Sequence, residues 1–335
     1  MKAALPRIAL FGVLVLVAML LRAFDANPAM AQTQVIGAWE VEEEPPMDGS
    51  APDWQSILPV FLPTTSQQVT PPMGGGAIER VAVRSVNFDD TLYVMLEWTD
   101  RTADESSDRV EAFSDAAAIQ FPADGGSEVP AICMGQADEA VNIWQWRADQ
   151  QNGVPGLGEN GYVDMYPSTE DLYFTAREAG NPLAQDEDDR VAVQSLLAGG
   201  FGTLEVTDGG GLAGNAVRKD SRWMVVFSRP MVASGDLQPT FDGDTPVDVA
   251  FAIWDGALME RNGVKSVSAF TQLRITPEHP PRRAVGATED WPAYSPSNPI
   301  MMLLIGFVVL LIATLVGLFL YFRPGDQESE TSDAT

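Results

Sequence analysis

Histidine and cysteine are nearly missing from this 335-residue sequence, which holds one of each, His279 and Cys133. A lone cysteine excludes an intrachain disulfide, so the fold must stand on its core. Zinc sites of the usual His/Cys type need more such residues than exist here. A Ser-His-Asp triad would have to use His279, in "TPEHPP", and a proline-flanked loop is a poor place for a general base. Lysine is equally scarce: Lys2, Lys219 and Lys265 are the whole complement, in a chain of net charge -27. So negative a surface repels a phosphate backbone and excludes nucleic acid as a partner. It also fits a protein that lives in high salt. The run "DEDD", Asp186 to Asp189, reads as a solvated face, and this inventory disfavours a hydrolase.

The two ends carry the long apolar runs. Lys2 and Arg7 precede 14 uncharged residues, Ile8 to Leu21, and Ala29-Met30-Ala31 follows as a small-x-small site. Residues 1–31 therefore read as a secretory signal, with an uncleaved signal anchor as the competing reading. Near the other end, Ile300 to Phe322 is 23 residues without a charge, roughly 34 Å as a helix. Tyr321, Phe322 and Arg323 stand at its exit as interfacial anchors. This reads as a single transmembrane helix, 300–322, followed by a short acidic tail, 323–335. A Pro-rich spacer, 279–299, precedes it. The expected location is the outer face of the cytoplasmic membrane.

Between these ends, 32–76 is rich in Pro, Gly and acidic residues ("EVEEEPPMDGSAPDW", "TPPMGGG") and reads as an extended lead-in. From 77 to 278 the period is two. "ERVAVRSVNF" and "TLYVMLEW" flank Asp89-Asp90 as a hairpin. "AAAIQFP", "AVNIWQW", "DLYFTAR", "VAVQSLL", "GTLEV", "RWMVVFSR", "VDVAFAIWD" and "SVSAFTQLRI" follow. About ten short strands separated by turn residues predict a mainly β fold, an antiparallel β-sandwich with short helical insertions. Asp104 to Ala112 and Asp186 to Leu197 are the candidates for those helices. "GGGLAG", Gly209 to Gly214, satisfies G-x-G-x-x-G, but a strand rather than a helix follows, so it reads as a hairpin.

One stretch resists this bland reading. In "AICMGQADEAVNIWQW" a methionine and a glycine precede a strand with two tryptophans. Asn142, Trp144 and Trp146 share one face, and Val141, Ile143 and Gln145 the other. Two tryptophans on one face normally mean core packing. Met134 lies before that strand, where residue pattern alone makes it a flexible gap-filler.

"FSDAAAIQFP", "PAICMGQADEAVNIWQWRAD", "RWMVVFSRPM" and "VAFAIWDGALMERNGVKSVSAFTQL", in that order, change the odds. They resemble the haem-b-binding γ subunits of type II molybdenum enzymes of the dimethylsulfoxide-reductase family. These serve ethylbenzene and dimethylsulfide dehydrogenases and chlorate, selenate and nitrate reductases. The similarity runs from about Asp53 to Leu273. It implies a β-sandwich holding one haem b between an axial methionine and an axial lysine. The methionine maps to Met134. The lysine maps to Lys219, with Lys265 as its rival and His279 a distant third. The inventory is compatible: one His cannot give bis-histidine ligation, and no C-x-x-C-H exists for thioether attachment.

The resemblance further implies an electron-transfer subunit rather than a catalyst. Its partners would be a molybdenum catalytic subunit, an iron–sulfur subunit and an external or membrane redox carrier. Trp144, Trp146, Phe121 and Trp223 would either line the pocket or serve as plain core. The alternative is a cofactor-free, cell-surface β-sandwich that binds carbohydrate or another ligand.

Overall fold

Asp89 and Asp90 both adopt left-handed φ values, 45° and 31°. A two-residue type I′ turn requires this, and its twist matches that of the strands it joins. It connects β3 (Arg80–Phe88) to β4 (Thr91–Thr99). In the computed structural model the described residues are 35–107, 110–123, 134–136, 139–152, 191–235, 237–243 and 245–283. All of them lie in 1–285, the first of two units into which the chain divides.

The remaining strands are β1 (Val35–Glu40), β2 (Val60–Ser66), β5 (Ala116–Pro122), β6 (Val141–Arg147), β7 (Val193–Ala198), β8 (Glu205–Thr207), β9 (Ala213–Lys219), β10 (Arg222–Pro230), β11 (Val247–Trp254), β12 (Ser266–Ser268) and β13 (Thr271–Thr276). Two short α-helices, α1 (Pro52–Ser56) and α2 (Ala148–Asn152), and one 3-10 turn, Gly256–Leu258, accompany them among the described residues. The hydrogen-bonded order is β8-β7-β6-β5-β11-β12-β2-β3-β4-β10-β9, with β1 between β13 and β3. Pairing is antiparallel except at β1, which runs parallel to both neighbours.

The ladder doubles back on itself through β12–β2 and β13, so that β9-β10-β4-β3 faces β7-β6-β5-β11. Alternation decides what lies between the layers. Val81 and Val83 of β3, Val94 and Leu96 of β4, and Trp223, Val225 and Phe227 of β10 meet Ile119, Phe121, Trp144, Trp146 and Phe251 in one core. Trp98, Trp146 and Trp223 pack with ring centroids 5.0 to 6.5 Å apart. Burying aromatic surface of this kind is the main stabilising term of such a core.

The mainly β, antiparallel reading stands, with few helices. Three local expectations are corrected. Residues 35–76 are not a bare lead-in, because β1 and β2 are sheet strands and Trp54 of α1 is buried on the outer face of β4 and β10. Val193–Ala198 is a strand rather than the end of a helix, and the described part of Asp104–Ala112 is not helical. The α2 turn, which follows β6 directly, was not foreseen. Gly209 to Gly214 opens no helix, but neither is it the hairpin expected there: it leads from β8 into β9, which do not pair, and the β9–β10 hairpin turns at Asp220–Ser221. No helix among the described residues is long and apolar enough to cross a membrane. The apolar run 300–322, the signal at 1–31, the strand expected at "DLYFTAR" and the run Asp186–Asp189 lie outside the described residues.

Candidate functional site

The face of β6 opposite its tryptophans decides where the site lies. Val141 and Ile143 point away from the inter-layer core and join Ala116, Ala118, Leu196 and Trp254 in a separate cluster on the outer face of the second layer. Register places small residues side by side there: Ala118 of β5 pairs with Ala252 of β11, and Ala250 pairs with Gln120. Four alanines at alternate positions of two adjacent strands make a low, flat floor. Anything resting on them approaches the sheet backbone more closely than branched side chains would allow.

Above this floor is a cavity of about 730 Å³. That volume is in the range for drug-sized ligands and cofactors. Its walls come from Phe113, Phe201 and Leu204 among apolar groups and from Arg147 and Arg261 among charged ones. Arg147 is tied to Asp149 by Nε to Oδ1 at 3.0 Å and Nη2 to Oδ2 at 2.5 Å. The Arg261 guanidinium lies over the Phe113 ring at 4.5 Å.

Met134 lines the cavity at its β6–β7 side. Its φ is 78°, a left-handed value that is uncommon away from glycine, Asn and Asp. The turn is held there. The Met134 carbonyl accepts from the Gly200 amide at 2.8 Å, and its own amide donates to Gln120 Oε1 at 3.4 Å. Gly135 answers why a glycine must follow: at φ 67°, an added Cβ would lie 2.5 Å from the Glu139 carbonyl oxygen. Cys133 lies outside the described residues.

Lys265 lines the same cavity from the β12 side. It is 8% exposed, and its Nζ lies 5.0 Å from the centre of the Trp254 ring. Its main chain is gripped by the segment "PPMGGG". Lys265 N donates to Gly74 O at 3.2 Å, and Lys265 O accepts from Gln67 N at 3.1 Å. Gln67 Nε2 also donates to Thr70 O at 2.6 Å and to Gly263 O at 3.1 Å, joining this segment to the turn before the lysine.

The structure thus brings Met134 and Lys265 to one cavity, with the β5 and β11 alanines between them. It does not bring Lys219 there. Lys219 ends β9 at the far edge of the first layer, is exposed, and pairs with Arg222 across the hairpin. Of the two lysines weighed as candidates, Lys265 and not Lys219 lines the cavity. His279 is also exposed, with Nδ1 3.4 Å from the Glu40 carbonyl. Trp144, Trp146, Phe121 and Trp223 are core residues and none lines the cavity. Sequence reasoning missed the alanine floor. Its signal was present in "AAAIQFP" and "VAFAIW", where Ala recurs at every second position.

A family model described as ethylbenzene dehydrogenase matches residues 51–266. This chain belongs to that family. Within it the similarity is to γ subunits of type II molybdenum enzymes. A protein of Haloferax mediterranei named as a respiratory nitrate reductase heme subunit is 30% identical over 77% of this chain and 81% of its own length. The chlorate reductase subunit gamma of Ideonella dechloratans is 29% identical over 61% of this chain and 68% of its own length. The dimethylsulfide dehydrogenase subunit gamma of Rhodovulum sulfidophilum is 33% identical over 60% and 62%. A family 9 carbohydrate binding module from Caldicellulosiruptor kristjanssonii covers 76% of this chain and 100% of its own length, at 11% identity and a TM-score of 0.38.

Proposed function

We propose that this γ-subunit family member carries one haem b in the alanine-floored cavity, with Met134 and Lys265 as its axial ligands. The observation that carries the reading is the convergence of these two side chains, alone of the sulfur and amine donors considered, on one cofactor-sized space. The residues present fit the group. Alanines leave room for a flat ring system, the walls are largely aromatic and aliphatic, and Arg147 and Arg261 offer cationic partners to carboxylates. Noncovalent haem b suits a chain with no paired cysteines.

Bound there, haem supplies a one-electron couple, and axial methionine tends to raise its potential. The chain's own residues do the rest. The Met134–Gly135 turn presents a soft, neutral thioether. Lys265 presents an amine, which must shed its proton to donate to a metal. With Met134 and Lys265 both holding the group, no open position would be left on it for substrate. The subunit would relay electrons between the iron–sulfur subunit of a molybdenum oxidoreductase and an external or membrane carrier, as an exported protein held at the outer face of the membrane by 300–322.

Purification of the full-length protein tests this. The expected result is a Soret band and a sharp reduced α-band, with haem extractable by acid acetone. Met134→Ala should alter the low-spin spectrum while the β-sheet circular dichroism is retained. A folded protein that is colourless and takes up no haem would overturn the proposal and return the chain to a cofactor-free binding module.

A further inference from the structure

Next to the cavity, but outside it, three aspartates from three segments meet. Asp100 follows β4, Asp115 precedes β5 and Asp255 follows β11. They are 3%, 0% and 9% exposed. One carboxylate oxygen from each lies within 4.8 Å of the other two. Two oxygens bound to one calcium ion at 2.3 to 2.6 Å can be at most roughly 5 Å apart, so this spacing is what a shared ion demands.

The hydrogen bonds leave acceptors over. Asp115 is well supplied: Oδ1 accepts from Gly256 N at 2.9 Å, and Oδ2 accepts from Trp223 Nε1 at 3.0 Å and Asp104 N at 2.9 Å. Asp255 Oδ1 accepts from Leu258 N at 3.2 Å. Asp100 differs. Its Oδ1 accepts from the Thr102 amide and hydroxyl at 2.9 and 3.1 Å, while its Oδ2 is buried with no donor at all. Asp104, whose charge acts on both Asp100 and Asp255, adds a second buried carboxylate oxygen without a donor, Oδ2. An orphaned buried carboxylate oxygen costs its full desolvation unless something cationic satisfies it. Arg218 does not do so directly, since its Nη2 donates to the Asp100 main-chain carbonyl. Burial raises the affinity of Asp115, Asp100 and Asp255 for protons, Asp115 to about 7, while the Arg218 charge acts the other way on Asp100.

We infer that Asp100, Asp115 and Asp255 form a structural cation site, selective for calcium, that pins the two layers of the sandwich together beside the cavity. All-oxygen, carboxylate-rich donors select a hard divalent ion, and calcium tolerates such an irregular set better than magnesium does. The ion joins the end of β4 in the first layer to the start of β5 and the end of β11 in the second. Phe113, Ser114 and Trp254, each within two residues of one of these aspartates in sequence, line the cavity. The site does not depend on what fills that cavity.

The test uses purified full-length protein, stripped with a chelator and kept in 1 M KCl, where the Debye length is about 3 Å and exposed carboxylates are screened. Terbium ion added alone should give saturable luminescence sensitised by the adjacent Trp223, and calcium should quench it competitively. Calcium at a hundredfold its dissociation constant should raise the thermal midpoint by about 5 to 10 °C. Asp100→Asn and Asp255→Asn should each abolish both effects. Should a variant fail to fold, the wild-type competition and midpoint shift still decide. Absence of saturable emission, a midpoint raised equally by added KCl, or emission undiminished in both folded variants would each overturn the site.

Discussion

Gly75 lies so close to Lys265 that a Cβ built on it would overlap the lysine's main-chain nitrogen. Its φ of 85° is itself unfavourable for any residue with a Cβ. Gly75→Ala must therefore shift Lys265 relative to the cavity. Gly243→Ala provides the control, with a similar φ of 83° but its nearest neighbour at 3.9 Å. Both should cost about 1–2 kcal/mol in backbone strain. Only Gly75→Ala should also change the haem spectrum, measured on variants brought to equal folded fraction.

Replacing the two lysines separately distinguishes the axial candidates. Lys265→Ala should weaken haem retention about tenfold or more, since even outer-shell partners of a metal ligand are worth 10 to 100-fold. Lys219→Ala should leave both the spectrum and the affinity as they are, because Lys219 is exposed at the end of β9. The measurement is haem transfer to a competing apoprotein. The opposite pattern would move the ligand to the first layer.

Ala118→Leu should fill the cavity floor. Ala118 is buried on the outer face, paired with Ala252, and contributes nothing to the inter-layer core. The fold should survive with a stability change of about 1 kcal/mol, while haem incorporation falls sharply. Absorbance at the Soret maximum per folded protein reads this directly.

Glu97 is fully buried between two arginines, Arg84 Nη1 at 2.7 Å and Arg222 Nη1 at 2.6 Å. Arg84 Nε also donates to the Ile57 carbonyl at 2.9 Å, under α1. Glu97→Gln removes the buried carboxylate charge that Arg84 and Arg222 share. The expected loss is about 3–5 kcal/mol, seen as a lower denaturant midpoint.

Tyr93 provides a pH signature. Burial, then the hydrogen bond to Glu44 at 3.2 Å, raises its pKa to about 12. The unfolded chain releases this proton near its ordinary value of about 10. Between pH 10 and 12 the unfolded state holds fewer protons than the folded one, so stability falls as pH rises and levels off above. Tyr93→Phe should flatten that decline in alkaline melts.

The period-two alternation made every strand it named within the described residues legible, because one side of each strand must be dry and that demand is written locally. The Asp89-Asp90 turn and the tryptophan face of β6 were readable for the same reason. The sequence by itself determined a β-rich chain with one sulfur donor in a marked place and a very small choice of amines. Alternation cannot say which of two strand faces meets the other layer and which stays outside. That depends on strands distant in the chain, and it alone placed the alanines of β5 and β11 under a cavity and the tryptophans away from it. Nor could it choose between Lys219 and Lys265, whose local surroundings are both turn-flanked strand ends. Tertiary pairing carried one to an exposed edge and pressed the other between Trp254 and a glycine-rich segment.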